Sequence, residues 1–197
     1  DMIGMTRANI CDPFLVEKLK QKQSSQIRPC VGANICIANR YIGKPISCIH
    51  NSEINRPKIA FVKTRKSLDI TIIGAGPTGL ELARLAAQKG HQVTVYESNS
   101  TAGGQLQQWA SLASTQELRG IIDWRISELN RLKVKLIYNH PVTESDIQAL
   151  SGDICFIATG AIDHLDSNLS NIDARVMTPI EVLQQPRPEG LTALVVN

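Results

Sequence analysis

The stretch LDITIIGAGPTGLELARLAAQKGHQVTVYE, Leu68 to Glu97, constrains this chain more than any other part of it. It reads as a buried strand, a glycine-rich turn, an amphipathic helix ending at Gly90 and a second strand ending in Glu97, which together make a βαβ unit. The turn carries Gly74-x-Gly76-x-x-Gly79, with Pro77 and Thr78 opening the helix. Gly74 permits the tight turn, Gly76 lets the backbone approach a pyrophosphate, and Gly79 lets helix and strand pack closely, while the free N–H groups of the helix N-terminus face the phosphates. Glu97, 18 residues beyond Gly79, stands where an acid accepts ribose hydroxyls and disfavours a 2′-phosphate. A glycine fingerprint alone is a weak signal, equally at home in a ligand-free α/β turn. Here strand, turn, helix and acid agree, and dinucleotide binding is the expectation.

The rest of the chain arranges itself around that unit. Ser114 and Glu117 read as a capping-box pair before a helix with Leu118, Ile121, Ile122, Leu129 and Leu132 on its inner side. Val134–Tyr138 and Asp153–Ala158 read as strands. At the other end, Met2–Met5 reads as a short apolar strand, and Asp12-Pro13 as the start of a helix running to about Gln21 with Phe14, Leu15 and Leu19 on one face. There is no internal repeat and no low-complexity tract.

Between these parts, Arg28–Asn51 places Cys30, Cys36 and Cys48 in a segment with Gly32, Gly43, Pro45 and no sustained periodicity, beside His50. Three thiols are most of a metal site. Ala33 stands midway between the first two, where a further thiol would be evenly spaced. Thiolates in a short irregular loop suit an iron–sulfur cluster. Three outcomes follow: His50 supplies a nitrogen ligand; three thiolates hold a three-iron cluster, or a four-iron cluster with one exchangeable site; or the cluster is lost. Zinc is a further reading, since Cys30, Cys36, Cys48 and His50 form a Cys₃His set. Cys11 and Cys155 read as small buried apolar residues, Trp109 and Trp124 as packing residues, and His140 and His164 carry no role.

Composition removes several function classes. With 197 residues, 43% of them hydrophobic, the chain can bury a core of one or two domains. A net charge of only +3, with the basic residues dispersed, argues against nucleic acid or a membrane as partner and for a small-molecule substrate. No apolar run approaches the roughly 20 residues of a membrane span. An odd count of five cysteines fits a reducing, cytoplasmic setting better than a disulfide scaffold. The first residue is Asp, and the apolar LTALVVN end stops where a strand would enter a loop, so a fragment of a longer chain is expected.

Two features lean toward a flavin. Thr101-Ala102-Gly103-Gly104-Gln105 follows Glu97, and DICFIA runs into Thr159-Gly160. In this order, fingerprint, acid, Gly-Gly-Gln and Ala-Thr-Gly resemble the two-dinucleotide-binding flavoproteins. DMIGMTRANICDPFLVEKL resembles the last strand, loop and helix of the flavin-binding barrel of the old yellow enzyme family, in which the glycine and arginine after the strand hold the FMN phosphate; the matching residues are Gly4 and Arg7, with Met5 and Thr6 between them. The order of barrel end, cysteine loop and flavoprotein domain is similar to that of the trimethylamine dehydrogenase and 2,4-dienoyl-CoA reductase group, over essentially the whole chain.

That resemblance implies an α/β chain divided as follows: residues 1–25 the end of a (β/α)₈ barrel, 26–56 the cluster loop, 57–66 a linker, 67–190 a Rossmann-like FAD- or ADP-binding domain, and 191–197 the start of a second dinucleotide domain. It implies an oxidoreductase of amine dehydrogenase or enoyl reductase type, in which electrons pass between FMN, a [4Fe–4S] or [3Fe–4S] cluster and a dinucleotide domain holding FAD or ADP, with NAD(H) as co-substrate. It leaves open a homo-oligomer or an electron-transfer protein partner. Cys30, Cys36 and Cys48 match the first, third and fourth cluster positions, and Ala33 departs from the second. With the barrel's substrate pocket absent, no catalytic residue is assigned. The rival reading is a binding module with structural ADP and a zinc staple, without redox turnover.

Overall fold

The computed structural model describes residues 2–55, 63–150, 152–161 and 176–184. The linker 57–66 therefore lies mostly outside the described residues, and His164 and 191–197 lie wholly outside them.

Four parallel strands, β1 (Asp69–Ile73), β2 (Gln92–Tyr96), β3 (Lys135–Ile137) and β4 (Ile154–Ile157), form one sheet in the order β3-β2-β1-β4. Strand β1 is central, and four of its five residues are buried in succession, as both faces of a parallel sheet are covered. Helix α4 (Pro77–Gln88) joins β1 to β2 and turns Leu80, Ala83 and Ala86 inward at helical spacing. Helix α6 (Arg119–Arg131) packs against α4 and adds Ile122 and Leu129 to a core that includes Ile70, Ile72, Val93 and Val95. The remaining helices of this part are α5 (Gln105–Trp109), α7 (Glu144–Ala149) and α8 (Pro179–Gln184). From β1 the chain winds one way to β2 and β3, and later returns to the other side of β1 as β4. The carboxyl ends of β1 and β4 thus flank a topological switch point, the place where open α/β sheets bind ligands.

The N-terminal part is helical: α1 (Arg7–Cys11), α2 (Leu15–Lys20), a 3₁₀ turn at Ser24–Gln26 and α3 (Ile35–Tyr41). Several expectations change here. Met2–Met5 forms no strand, because a strand needs a neighbouring edge and nothing among the described residues offers one to this segment. The barrel end is accordingly not seen as a barrel element. Helix α2 starts two residues beyond Pro13, since the Asp12 carboxylate caps the Phe14 N–H at 3.1 Å and binds Lys18 at 2.6 Å. The Ser114–Glu117 box does not form; a 3₁₀ turn, Gln116–Leu118, leads into α6 instead, and the capping box is made by Thr143 and Asp146 at α7. Cys155 and Trp109 are exposed, the former because β4 is an edge strand. Among the described residues no helix is long and apolar enough to cross a membrane.

Candidate functional site

A cavity of about 300 Å³ opens at the switch point, walled by the fingerprint turn, Glu97, Gly104-Gln105, His140 and Thr159-Gly160. The chain builds it from backbone. Gly74 has φ +103, a conformation open to glycine, and its N–H donates to the Tyr96 carbonyl at 2.7 Å, which sets the turn across the ends of β1 and β2. A Cβ on Gly79 would stand 2.0 Å from the Gly74 oxygen, whereas one on Gly76 would meet nothing within 4 Å. Close packing therefore accounts for Gly79, and free space on the cavity side for Gly76. The cap position of α4, Gly76, contributes no side chain, so the first-turn N–H groups remain available to an anion.

Glu97 is 6% exposed, and its carboxylate is held from several sides. One oxygen accepts the Ala75 N–H at 2.8 Å; the other accepts the Asn99 N–H at 2.9 Å and the Asn99 side-chain amide at 2.8 Å. Burial pushes its pKa up, but these donors outweigh it and hold the group below the usual glutamate value, so it is an anion at neutral pH. Gly103 donates to the Ala75 carbonyl at 2.8 Å, and Gln105 to the Ala161 carbonyl at 2.7 Å. The Gly-Gly-Gln turn and the end of β4 are thereby fastened to the fingerprint. His140, to which the sequence assigned no role, lines this cavity with its ring 5.0 Å from that of Tyr96. Its position after β3, at the carboxyl edge of the sheet, was the available signal.

Replacing Glu97 by Gln is expected to weaken binding of an adenine dinucleotide about tenfold or more, because either amide orientation sets an NH₂ against an N–H donor. Titration calorimetry on the cofactor-stripped protein measures it. Unchanged affinity removes Glu97 from the site.

The cysteine segment is gathered less tightly. Cys30 is exposed, Cys36 and Cys48 are half-buried, and among the described residues no three His, Cys, Asp or Glu side chains converge closely enough to hold a single metal ion. A one-ion Cys₃His site is therefore not formed. A multi-iron cluster differs, since each thiolate binds its own iron and the sulfurs need not meet at one point. Cys48 suits thiolate ligation: the Cys11 thiol and the N–H groups of Asn51 and His50 hydrogen-bond its sulfur, the Arg28 charge lies nearby, and together these outweigh burial and bring its pKa down to about 5. His50 is fully buried and faces elsewhere. Its Nδ1 bonds the Pro29 carbonyl at 2.9 Å, its ring stands edge-on to Trp124 at 5.2 Å, and burial holds its pKa down to about 3, so it is neutral. Its Nε2 has no partner, and the charges that act on the ring are those of Arg125, Arg28 and Glu81. Gly4 and Arg7 lie outside the dinucleotide cavity; both are exposed, and Arg7 binds the Asn34 side chain at 2.6 Å.

A buried ion network clamps this loop to the dinucleotide domain, and nothing in the sequence pattern announced it. Arg28 pairs with Glu53 at 2.7 Å and with Asn51; Arg84 pairs with Glu81 at 2.8 Å and Glu53 at 3.3 Å; Arg125 pairs with Glu81 at 2.9 Å; Ser52 bonds Glu81. The network holds three guanidinium groups and two carboxylates. The Trp124 ring, with Arg28 at 4.4 Å and Arg84 at 5.4 Å from its centroid, takes up part of the surplus positive charge.

Comparison with known proteins agrees with this construction. Residues 72–126 match the family of NAD(P)-binding Rossmann-like domains. The chain is 44% identical to the multifunctional alkene reductase/demethylase OYE of Caballeronia cordobensis, over 85% of this chain and 24% of that protein. It is 37% identical to a probable N-methylproline demethylase of Rhizobium meliloti, over 99% of this chain and 29% of that protein. The solved 2-naphthoyl-CoA reductase complex superposes with a TM-score of 0.83 at 27% identity, covering 91% of this chain and 28% of that one. The chain spans about a quarter of the length of the curated relatives it matches. Over that quarter, from the N-terminal helices through the cysteine loop to the Rossmann-like sheet, the chain belongs to the trimethylamine dehydrogenase and 2,4-dienoyl-CoA reductase group of the old yellow enzyme family.

Proposed function

We propose that this chain is the electron-transfer segment of a flavin- and iron–sulfur-dependent oxidoreductase acting on an N-methylated amine or an enoyl-type substrate. The observation that carries the reading is the clamp between the two candidate sites. A loop bearing Cys30, Cys36 and Cys48 is fixed to α4, whose N-terminus opens the dinucleotide cavity, by the Glu53–Arg84 ion pair and the Ser52–Glu81 hydrogen bond. The names of the relatives, an alkene reductase/demethylase and an N-methylproline demethylase, supply the substrate classes.

When bound, the flavin and the cluster provide hydride and single-electron chemistry respectively. The chain's own residues bind and orient. In this reading the N–H groups at Gly76 and Thr78 bind a pyrophosphate, Glu97 accepts ribose hydroxyls, and Tyr96 with His140 walls the adenine; all line the one cavity. Gly104, Gln105, Thr159 and Gly160 line the cavity, and Gly103 ties their turn to Ala75 of the fingerprint. The lowered pKa of Cys48 supports reading it, with Cys30 and Cys36, as a cluster ligand. Gly4 and Arg7 remain the proposed contacts to an FMN phosphate in the complete protein.

Denaturing the anaerobically purified full-length protein tests this. FAD, FMN, iron and acid-labile sulfide in the released fraction support the redox segment. Release of ADP in place of FAD assigns a structural nucleotide, and zinc without iron or sulfide overturns the cluster.

A further inference from the structure

The position that lacks a thiol, Ala33, has a counterpart on α1. Cys11 is 1% exposed, and its sulfur lies 3.2 Å from the carbonyl oxygen of Pro29, the residue before Cys30. The thiol thus lies beside the start of the cysteine loop.

This placement is fixed from both sides. The side-chain amide of Asn51, three residues past Cys48, donates to the Ile10 carbonyl at 2.9 Å. The Asp12 carboxylate accepts the Arg28 N–H at 2.8 Å, and Arg7, at the start of the same helix, binds Asn34, the neighbour of Ala33. Residues 10 and 12 on either side of Cys11 are thus tied to the two edges of the cysteine loop, which holds the intervening thiol against it.

We propose that Cys11 supplies the fourth thiolate of the iron–sulfur cluster, replacing a ligand that Ala33 cannot provide. This rests on the cluster reading above. Ligation exchanges the Cys11 thiol proton for an iron–sulfur bond, and the proton passes to solvent; no electron is transferred in that step. Arg28, whose N–H is held by Asp12 next to Cys11, brings a positive charge to the loop that would compensate a four-thiolate site. His50 is the competing ligand. Its Nδ1 and the Cys11 sulfur share the Pro29 carbonyl while its Nε2 has no partner, so substitution of each separates the two.

The test uses full-length protein purified without oxygen, with iron, labile sulfide and the EPR spectrum of the oxidised and reduced forms as readouts. Wild type is expected to hold about four irons per chain. Cys11→Ala should lose at least a quarter of the iron and show an oxidised three-iron signal, while His50→Phe keeps the wild-type content and spectrum. Cys11→Ala combined with Ala33→Cys should regain both. Wild type without iron or sulfide overturns the cluster reading and this proposal with it. Iron-loaded wild type whose content and spectrum survive Cys11→Ala overturns the proposal alone. So does iron loss in Cys11→Ala that a thiol at position 33 fails to restore, since Cys11 would then act by packing.

Discussion

Glu81→Gln is expected to destabilise the junction between the cysteine loop and the dinucleotide domain by about 3–5 kcal/mol, the cost of removing one partner from a buried ion pair. Glu81 binds both Arg84 and Arg125, whose side chains are 1% and 4% exposed. Without it, three buried guanidinium groups share the single carboxylate of Glu53. Acid should weaken the same junction. Burial pushes the Glu81 pKa up, but the bonds and charges of Arg84, the charge of Arg125 and the Ser52 hydroxyl overcome this and bring it down to about 2 from 4.5. A carboxylate with a depressed folded-state pKa contributes its stability in full above the unfolded value. That contribution, about 3 kcal/mol, is then lost as pH falls from about 4.5 toward 2. Denaturant unfolding across that range measures both effects. The wild type should show the steeper acid slope, and the Gln variant only the part left by other carboxylates held low, such as Glu97. Hydrogen exchange should find residues 28–53 opening before the sheet does. A shift below about 1 kcal/mol at neutral pH would mean that water already screens the network.

How much of this was legible in the sequence depends on the range of the interactions. The βαβ unit was readable because its signals are local: the apolar run of β1, the glycines at fixed offsets and the inward spacing of Leu80, Ala83 and Ala86 all lie within a few residues of one another. The clamp was not, because it joins Arg28 and Glu53 to the Glu81–Arg84 pair of α4 and to Arg125, segments far apart in sequence, and a periodicity reading sends such charged residues to solvent. Trp124 was read as a packing residue, and it is one, but what it packs against is two guanidinium groups and His50. The same limitation affected the cysteines. Even spacing drew attention to Ala33, a property of one short segment, whereas Cys11 reaches that segment only through the fold, across 18 residues to Pro29. Local cap chemistry also misled at Ser114 and Glu117, and the Thr143–Asp146 box went unread. Thr143 and Asp146 make their box because an isolated helix of six residues begins there. At Ser114 the chain instead enters α6 through a 3₁₀ turn, so the N-terminus is satisfied by backbone geometry.

Two alanine substitutions in the fingerprint should separate fold from ligand. Gly79→Ala sets a methyl 2.0 Å from the Gly74 carbonyl oxygen and 3.4 Å from an Ile72 methyl. The first of these is backbone at the tightest part of the turn and cannot rotate away, so β1 and α4 must separate, at a cost of about 3 kcal/mol or more. That variant should express poorly, and its sheet should unfold at markedly lower denaturant with or without a nucleotide. Gly76→Ala is different in kind. Gly76 has φ −71 and ψ 178, an extended conformation that alanine adopts without strain, and its new methyl points into open space. Stability should change by no more than about 1 kcal/mol, the scale of losing a favourable cap residue. Affinity for the dinucleotide should fall at least tenfold, because the methyl occupies the approach of the pyrophosphate to the backbone. Unfolding curves with and without added FAD distinguish the two, since a ligand that binds only the folded state raises the midpoint of any variant that still binds it. If Gly76→Ala keeps the wild-type response to FAD, the cavity at the switch point is not where the pyrophosphate lies.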